Sequence, residues 1–115
     1  GYTSSMTKTG APELEEKIKV EAVSAEAGTG VTVTVYFRNI GNVKTTVDSV
    51  YIIRARDNSI VGSAINLNSE LTPGALGSAT VTNVDLSEEG ATYIVKVVTT
   101  NGVEAALSFT VRSKS

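Results

Sequence analysis

Between Val31 and Phe37 apolar and polar residues alternate without a break, with Val31, Val33, Val35 and Phe37 on one side and Thr32, Thr34 and Tyr36 on the other. A period of two predicts a strand with one buried and one solvated face. The β-branched residues Val and Thr suit that pleated surface, so propensity and pattern agree. Asn39-Ile40-Gly41-Asn42 follows at once, a set of residues that accept positive φ and build turns.

The same reasoning places further strands on either side. Ile18, Val20 and Ala22 alternate with Lys19 and Glu21, predicting a strand from about Lys17 to Val23. A Val-, Ile- and Tyr-rich strand is expected from Thr45 to Arg56, returned by the turn residues Asp57-Asn58-Ser59 into a shorter strand, Ile60 to Leu67. Asn68 to Gly74 reads as a loop in which Pro73-Gly74 sets a tight turn. Strands are expected over Gly77–Thr82, Thr92–Thr99 and Val103–Val111. The last two are joined by Asn101-Gly102, a pair that favours a type I′ turn. Val81, Val84 and Leu86 break the period of two, so either a bulge intervenes or one of them points outward. About seven short strands with no long helix predict an all-β fold, an immunoglobulin-like antiparallel β-sandwich, with a barrel as the alternative.

The organisation follows from this pattern. Residues 1–16 read as a flexible lead-in left after a removed membrane anchor, in which Glu13–Lys17 supplies at most one helical turn. Residues 17–112 form the sandwich and 113–115 a tail.

Two strands carry more apolar residues than a one-sided strand needs. In the strand from Thr45 one phase holds Val47, Ser49, Tyr51 and Ile53, the other Asp48, Val50, Ile52 and Arg54. In the strand from Thr92 one phase holds Tyr93, Val95 and Val97, the other Ile94, Lys96 and Val98, with Lys96 marking the wet side. These strands are neighbours in an immunoglobulin-like sheet. Val50 and Ile52 are therefore expected outward beside Ile94, Val98 and Ala106, with Val84 a secondary contact. Such a patch marks a protein interface and implies a homo-oligomer, a dimer or higher. The alternatives are a cover of loops or lead-in, or the opposite register with Tyr51 and Ile53 outward.

Composition narrows the chemistry. The 115 residues suffice for one domain with its own core. A net charge of −2 and a pI near 5.1 argue against nucleic acid. With neither His nor Cys in the chain, no Ser-His-Asp, Cys-His or zinc arrangement can be built. The carboxylate pairs Glu15/Glu16 and Glu88/Glu89 lie in the lead-in or beside a turn, where solvation leaves them poor general acids or bases. Asp57-Asn58-Ser59 lacks the spacing of a calcium loop. The sequence thus points away from an enzyme and gives no catalytic residue, cofactor or metal.

Two resemblances add to this reading. Glu89-Gly90-Ala91-Thr92-Tyr93-Ile94-Val95 resembles the run that opens a late strand of antibody-type domains, with Val95 in place of the Cys. That resemblance implies that the Tyr93 hydroxyl bonds back to the backbone as a tyrosine corner. The wider one runs through Lys17–Ala22, Val31–Asn42, Thr46-Val47-Asp48-Ser49-Val50-Tyr51-Ile52 and Leu71-Thr72-Pro73-Gly74. These stretches resemble the soluble domains of archaellins, archaeal type IV pilins and archaellum accessory proteins. The chain is short and lacks Asn-x-Ser/Thr sequons, which favours an accessory, stator-like protein over a filament subunit. The resemblance implies an extracytoplasmic domain, membrane-anchored by an N-terminal helix, whose partners are the surface-layer protein or other archaellum components. The domain of a pilin or archaellin is the runner-up, and a generic surface adhesion module a third reading.

Overall fold

A computed structural model of the chain describes residues 13–112. The expectations for residues 1–12 and for the tail lie outside the described residues. Among the described residues eight strands form two antiparallel sheets: β1 (Ile18–Ser24), β2 (Gly28–Asn39), β3 (Thr45–Arg54), β4 (Ser59–Ala64), β5 (Ser69–Leu71), β6 (Leu76–Leu86), β7 (Thr92–Thr99) and β8 (Glu104–Thr110). One sheet runs β1-β2-β6, the other β4-β3-β7-β8 with β5 on the end of β3. This is the expected sandwich, with the strands from Thr45, Thr92 and Glu104 side by side in one sheet.

The alternation in β2 does what it predicts. Val33, Val35 and Phe37 are fully buried, facing Val95 and Val97 of the opposite sheet within one core cluster. β8 turns Ala105, Leu107 and Phe109 to the same core. The irregular run in β6 resolves as a bulge. Asn83 takes φ 58°, the left-handed region that Asn tolerates, and the β2–β6 register shifts nearby. Val81, Val84 and Leu86 all reach the core as a result. Val84 is therefore not a surface contact, which corrects the expectation for that residue.

Two turns differ from the sequence reading in informative ways. At Asn101-Gly102 only Gly102 has positive φ, 87°, whereas type I′ needs it at both positions. Gly102 donates its N–H to the Thr99 carbonyl at 3.0 Å, and Thr99 N–H bonds the Val103 carbonyl at 2.9 Å. The loop is thus three residues with glycine in the left-handed position. Thr99 Oγ1, accepting the Val103 N–H at 3.1 Å, holds that choice. At Thr72-Pro73-Gly74-Ala75 the Ala75 N–H bonds the Thr72 carbonyl at 2.9 Å and Gly74 has φ 85°, the requirements of a type II turn. Just before it, β5 pairs with Thr45–Val47. Three residues are too few to show a period, so the sequence read them as loop.

Tyr93 is fully buried and stacks on Phe109, ring centroids 5.8 Å apart. Its hydroxyl has no hydrogen-bond partner among the described residues, so the expected corner bond is not made there. Removing an unpaired buried hydroxyl relieves a desolvation cost. Tyr93→Phe is accordingly expected to match the parent or exceed it by up to about 1 kcal/mol. A urea midpoint clearly below the parent's would mean that the hydroxyl is bonded after all.

Candidate interaction surface

The outer face of the β4-β3-β7-β8 sheet is where the apolar surplus collects, but with a different set of β3 residues. The β3–β7 register shifts between Val47 and Ser49. This bulge at Asp48 switches the phase, so Val47 and then Val50 and Ile52 all face the core with no exposed surface. Val50 and Ile52 are thus core residues, correcting the expected interface, and the alternative with Tyr51 and Ile53 outward holds beyond the bulge, while Val47 and Ser49 before it stay buried. The sequence reading assumed an unbroken period of two, which forced Val47 and Ile52 onto opposite faces.

Tyr51 and Ile53 take the outward places, both half-buried. Ile94, Val98 and Ala106 lie on this face as expected, the first two half-buried and Ala106 exposed. Cross-strand pairing aligns them. Ile60 pairs Ile53 and Ile53 pairs Ile94, a row of three isoleucines across adjacent strands that ends on Ser108. Tyr51 pairs Lys96, and Lys96 pairs Ala106. Ile60 is 61% exposed, although its position calls for a polar side chain. Lys96 Nζ lies 3.2 Å from a Glu104 carboxylate oxygen, a surface pair that adds little stability but leaves the face with balanced charge. The local pattern misled at Ile53, because the charged Arg54 shares the phase of Val50 and Ile52 and so favoured the other face.

At one end of the sandwich the loop after β2 is a polar clamp. Asn39 is fully buried. Its Nδ2 donates to the carbonyls of Val43 at 2.8 Å and Leu71 at 2.9 Å, while its Oδ1 accepts the Gly41 N–H at 2.9 Å. Asn42 then holds the incoming chain. Its Oδ1 accepts the Glu15 N–H at 2.7 Å, and its Nδ2 donates to the Glu13 carbonyl at 2.8 Å. Gly41 makes this approach possible, because a Cβ there would stand 2.7 Å from the Lys17 nitrogen and closer still to the Glu15 carbonyl. Glu16 completes the clamp, accepting from Thr45 Oγ1 and, at 3.0 Å, from Asn101 Nδ2. Residues Glu13–Lys17 are therefore held as irregular chain, not as a helical turn.

At the other end Arg54 and Arg56 tie two turns together. Arg54 Nη2 lies 3.0 Å from Asp57 Oδ2 and Arg54 Nη1 3.4 Å from Glu88 Oε2, while Arg56 Nε donates to Glu88 Oε1 at 3.2 Å. The hydrogen bond from Arg54, aided by Ser59, holds the Asp57 carboxyl far below its ordinary range. Arg56 lowers Glu88, Arg38 lowers Glu21, the Thr45 hydroxyl lowers Glu16 and Ser87 lowers Asp85. A carboxyl whose pKa is depressed by folding stabilises the fold above its unfolded value and loses that contribution as pH falls through the folded value. All five shifts have this sign. Stability is expected to hold down to pH about 5 and decline from there toward pH about 2, as read from urea midpoints across a pH series. A midpoint that rises on acidification would contradict these ion pairs.

Glu88 is thus committed to arginines and Glu16 to the clamp, so neither is placed for acid–base work. No group of three or more His, Cys, Asp or Glu able to hold a metal occurs among the described residues, and no helix there is long and apolar enough to cross a membrane.

No protein-family model and no curated protein matches the sequence. Solved structures match the fold. The archaellum periplasmic stator protein FlaG from Sulfolobus acidocaldarius is similar at TM-score 0.64 and 17% identity, over 83% of this chain and 100% of that one. A chain of the archaellum periplasmic stator complex FlaF and FlaG from the same organism matches at 0.62 and 18%, over 92% and 99%. A family 2 β-glucuronidase matches at 0.54 and 16%, over 86% of this chain but 11% of the enzyme. At these identities the matches establish a shared sandwich fold.

Proposed function

We propose that this chain is a non-enzymatic, extracytoplasmic accessory domain of the archaellum, stator-like, and anchored to the membrane through a hydrophobic helix of the full-length protein. The observation that carries the reading is the extent of the match to FlaG, which accounts for the whole of that chain. In the glucuronidase the same sandwich is a small part of a larger enzyme. The sequence resemblance in Val31–Asn42 and Thr46–Ile52 supports the same assignment. The outer face built from Tyr51, Ile53, Ile94, Val98 and Ala106 is the working surface in this reading. It meets the surface-layer protein, another archaellum component or a second copy of the chain. No enzyme chemistry, cofactor or nucleic acid is involved.

Deleting the encoding gene is expected to abolish swimming, with recovery on expression of the intact gene but not of an Ile94→Lys variant. Ile94 is half-buried on the outer face, so the variant should fold and yet be retained poorly on isolated surface-layer protein. Normal swimming with loss of surface adhesion would move the chain to the type IV pilins.

A further inference from the structure

The sheet edges of this sandwich are not equally protected. An edge strand presents unpaired backbone groups, which proteins blunt with bulges, charges or very short strands. The β1–β2, β2–β6 and β3–β4 pairings each carry a register shift, and β1 also carries Lys19 and Glu21. The β7–β8 pairing runs from Thr92↔Thr110 to Val98↔Glu104 with no irregularity. Glu104 is the only charged residue in β8, which contains no proline, and β8 has β7 as its only strand partner in the described sheets.

The ladder also fixes which groups β8 leaves open. Thr99 N–H bonds the Val103 carbonyl and Val111 N–H bonds the Ala91 carbonyl. In an antiparallel ladder bonded pairs recur every second residue, so Ala105, Leu107 and Phe109 point their N–H and C=O groups at β7. Those of Glu104, Ala106, Ser108 and Thr110 point away from β7. On the inner side Leu107 and Phe109 remain only partly buried, whereas Val95 and Val97 of β7 are fully covered.

We infer that β8 pairs with β8 of a second copy, antiparallel about a two-fold axis at Leu107, joining the two β4-β3-β7-β8 sheets into one. The inference is independent of any role in an archaellum. Its ground is self-complementarity. About that axis Ala106 pairs with Ser108 and Glu104 with Thr110, the residues whose backbone groups are free. Leu107 meets its own copy, and small Ala105 stands opposite large Phe109 on the inner side. Each Glu104 faces a neutral Thr110, so no like charges oppose one another, an arrangement that would be unfavourable in a cross-strand pair. The pairing continues the isoleucine row, Ile53–Ile94–Ser108, onto the second copy's Ala106.

Analytical ultracentrifugation of the full chain over a wide concentration range tests this. Wild type is expected to form dimers as concentration rises. Ser108→Pro removes an N–H that β7 does not use, which an edge strand tolerates, and should weaken the dimer at least tenfold while circular dichroism stays unchanged. Should that variant fail to fold, the charge pair still decides. Thr110→Lys, opposite Glu104, should tighten the dimer and Thr110→Glu should loosen it. The chain has no cysteine, so Leu107→Cys gives a single thiol whose symmetric partner sits within disulfide reach. Mild oxidation should yield a covalent dimer. A monomer at every concentration overturns the inference. So does a dimer indifferent to Ser108→Pro and Thr110→Glu but lost in Ile94→Lys, which would place the contact on the sheet face.

Discussion

Lysine in place of Ile52 is expected to leave the chain unfolded at neutral pH. Ile52 has no exposed surface and belongs to the main core cluster. Its cross-strand neighbours are Val95 on one side and Gly62 on the other. Gly62 offers no escape route, because even a Cβ there would come within 2.7 Å of Val84. Losing the buried isoleucine costs about 1.5–3 kcal/mol. Holding a cation in the core depresses its pKa by up to about 3–5 units, each unit worth about 1.4 kcal/mol. The total rivals the roughly 5–15 kcal/mol by which whole domains are stable. Because a buried amine is tolerated better when neutral, folding should partly recover as pH approaches about 10. Far-ultraviolet circular dichroism, run beside Ile94→Lys as the folded control, reads the result. A folded Ile52→Lys at neutral pH would reverse the face assigned to β3.

That contrast also measures how far the sequence could be read. Where strands run without bulges, alternation was sufficient. Val33, Val35 and Phe37 in β2, Val95 and Val97 in β7, and the inward phase of β8 all sit where period two puts them. It misled at Asp48, where an inserted residue exchanges the two faces of β3, and only hinted at Asn83, where the odd spacing of Val81, Val84 and Leu86 announced a bulge without saying which way Val84 would turn. A bulge is stabilised by partners on other strands, so its position is not written in the local run of residues. The outer apolar face follows the same rule. Ile94, Val98 and Ala106 lie on it as their phase predicts because β7 and β8 are regular, whereas Tyr51 and Ile53 reach it only through the bulge. The Asn39 clamp was visible as a turn cluster, but its hydrogen bonds to Val43 and Leu71 depend on β5, which is too short to leave a pattern.

Asn39→Leu is expected to cost about 2–6 kcal/mol, though leucine is close to asparagine in size. The change deletes a side chain that satisfies the Val43 and Leu71 carbonyls and the Gly41 N–H at once. A buried polar group left without its partner costs about 1–3 kcal/mol; the Gly41 N–H keeps the Lys17 carbonyl at 3.1 Å, but the leucine supplies no substitute donor for the two carbonyls. The loss should spread beyond the site. The Asn39 carbonyl accepts from Gly74 and its N–H bonds the Ala75 carbonyl, so the β2 end, the β5–β6 turn and the incoming chain share one support. A lowered urea midpoint should therefore be accompanied by faster amide hydrogen exchange at Gly41, Asn42 and Gly74. A midpoint within about 0.5 kcal/mol of the parent would show that solvent replaces these bonds.

The clamp also sets the mechanics of the domain. Any tension arriving through the chain ahead of Glu13 meets Asn42, Ile40 and Gly41 before it reaches β1, through the bonds to Glu13, Glu15 and Lys17. Those residues continue directly from β2, the middle strand of its sheet. Load is thus handed to a strand braced on both sides, and the edge strand β1 is spared from being peeled away first. A domain wired in this way takes traction at the centre of a sheet and behaves as one stiff body.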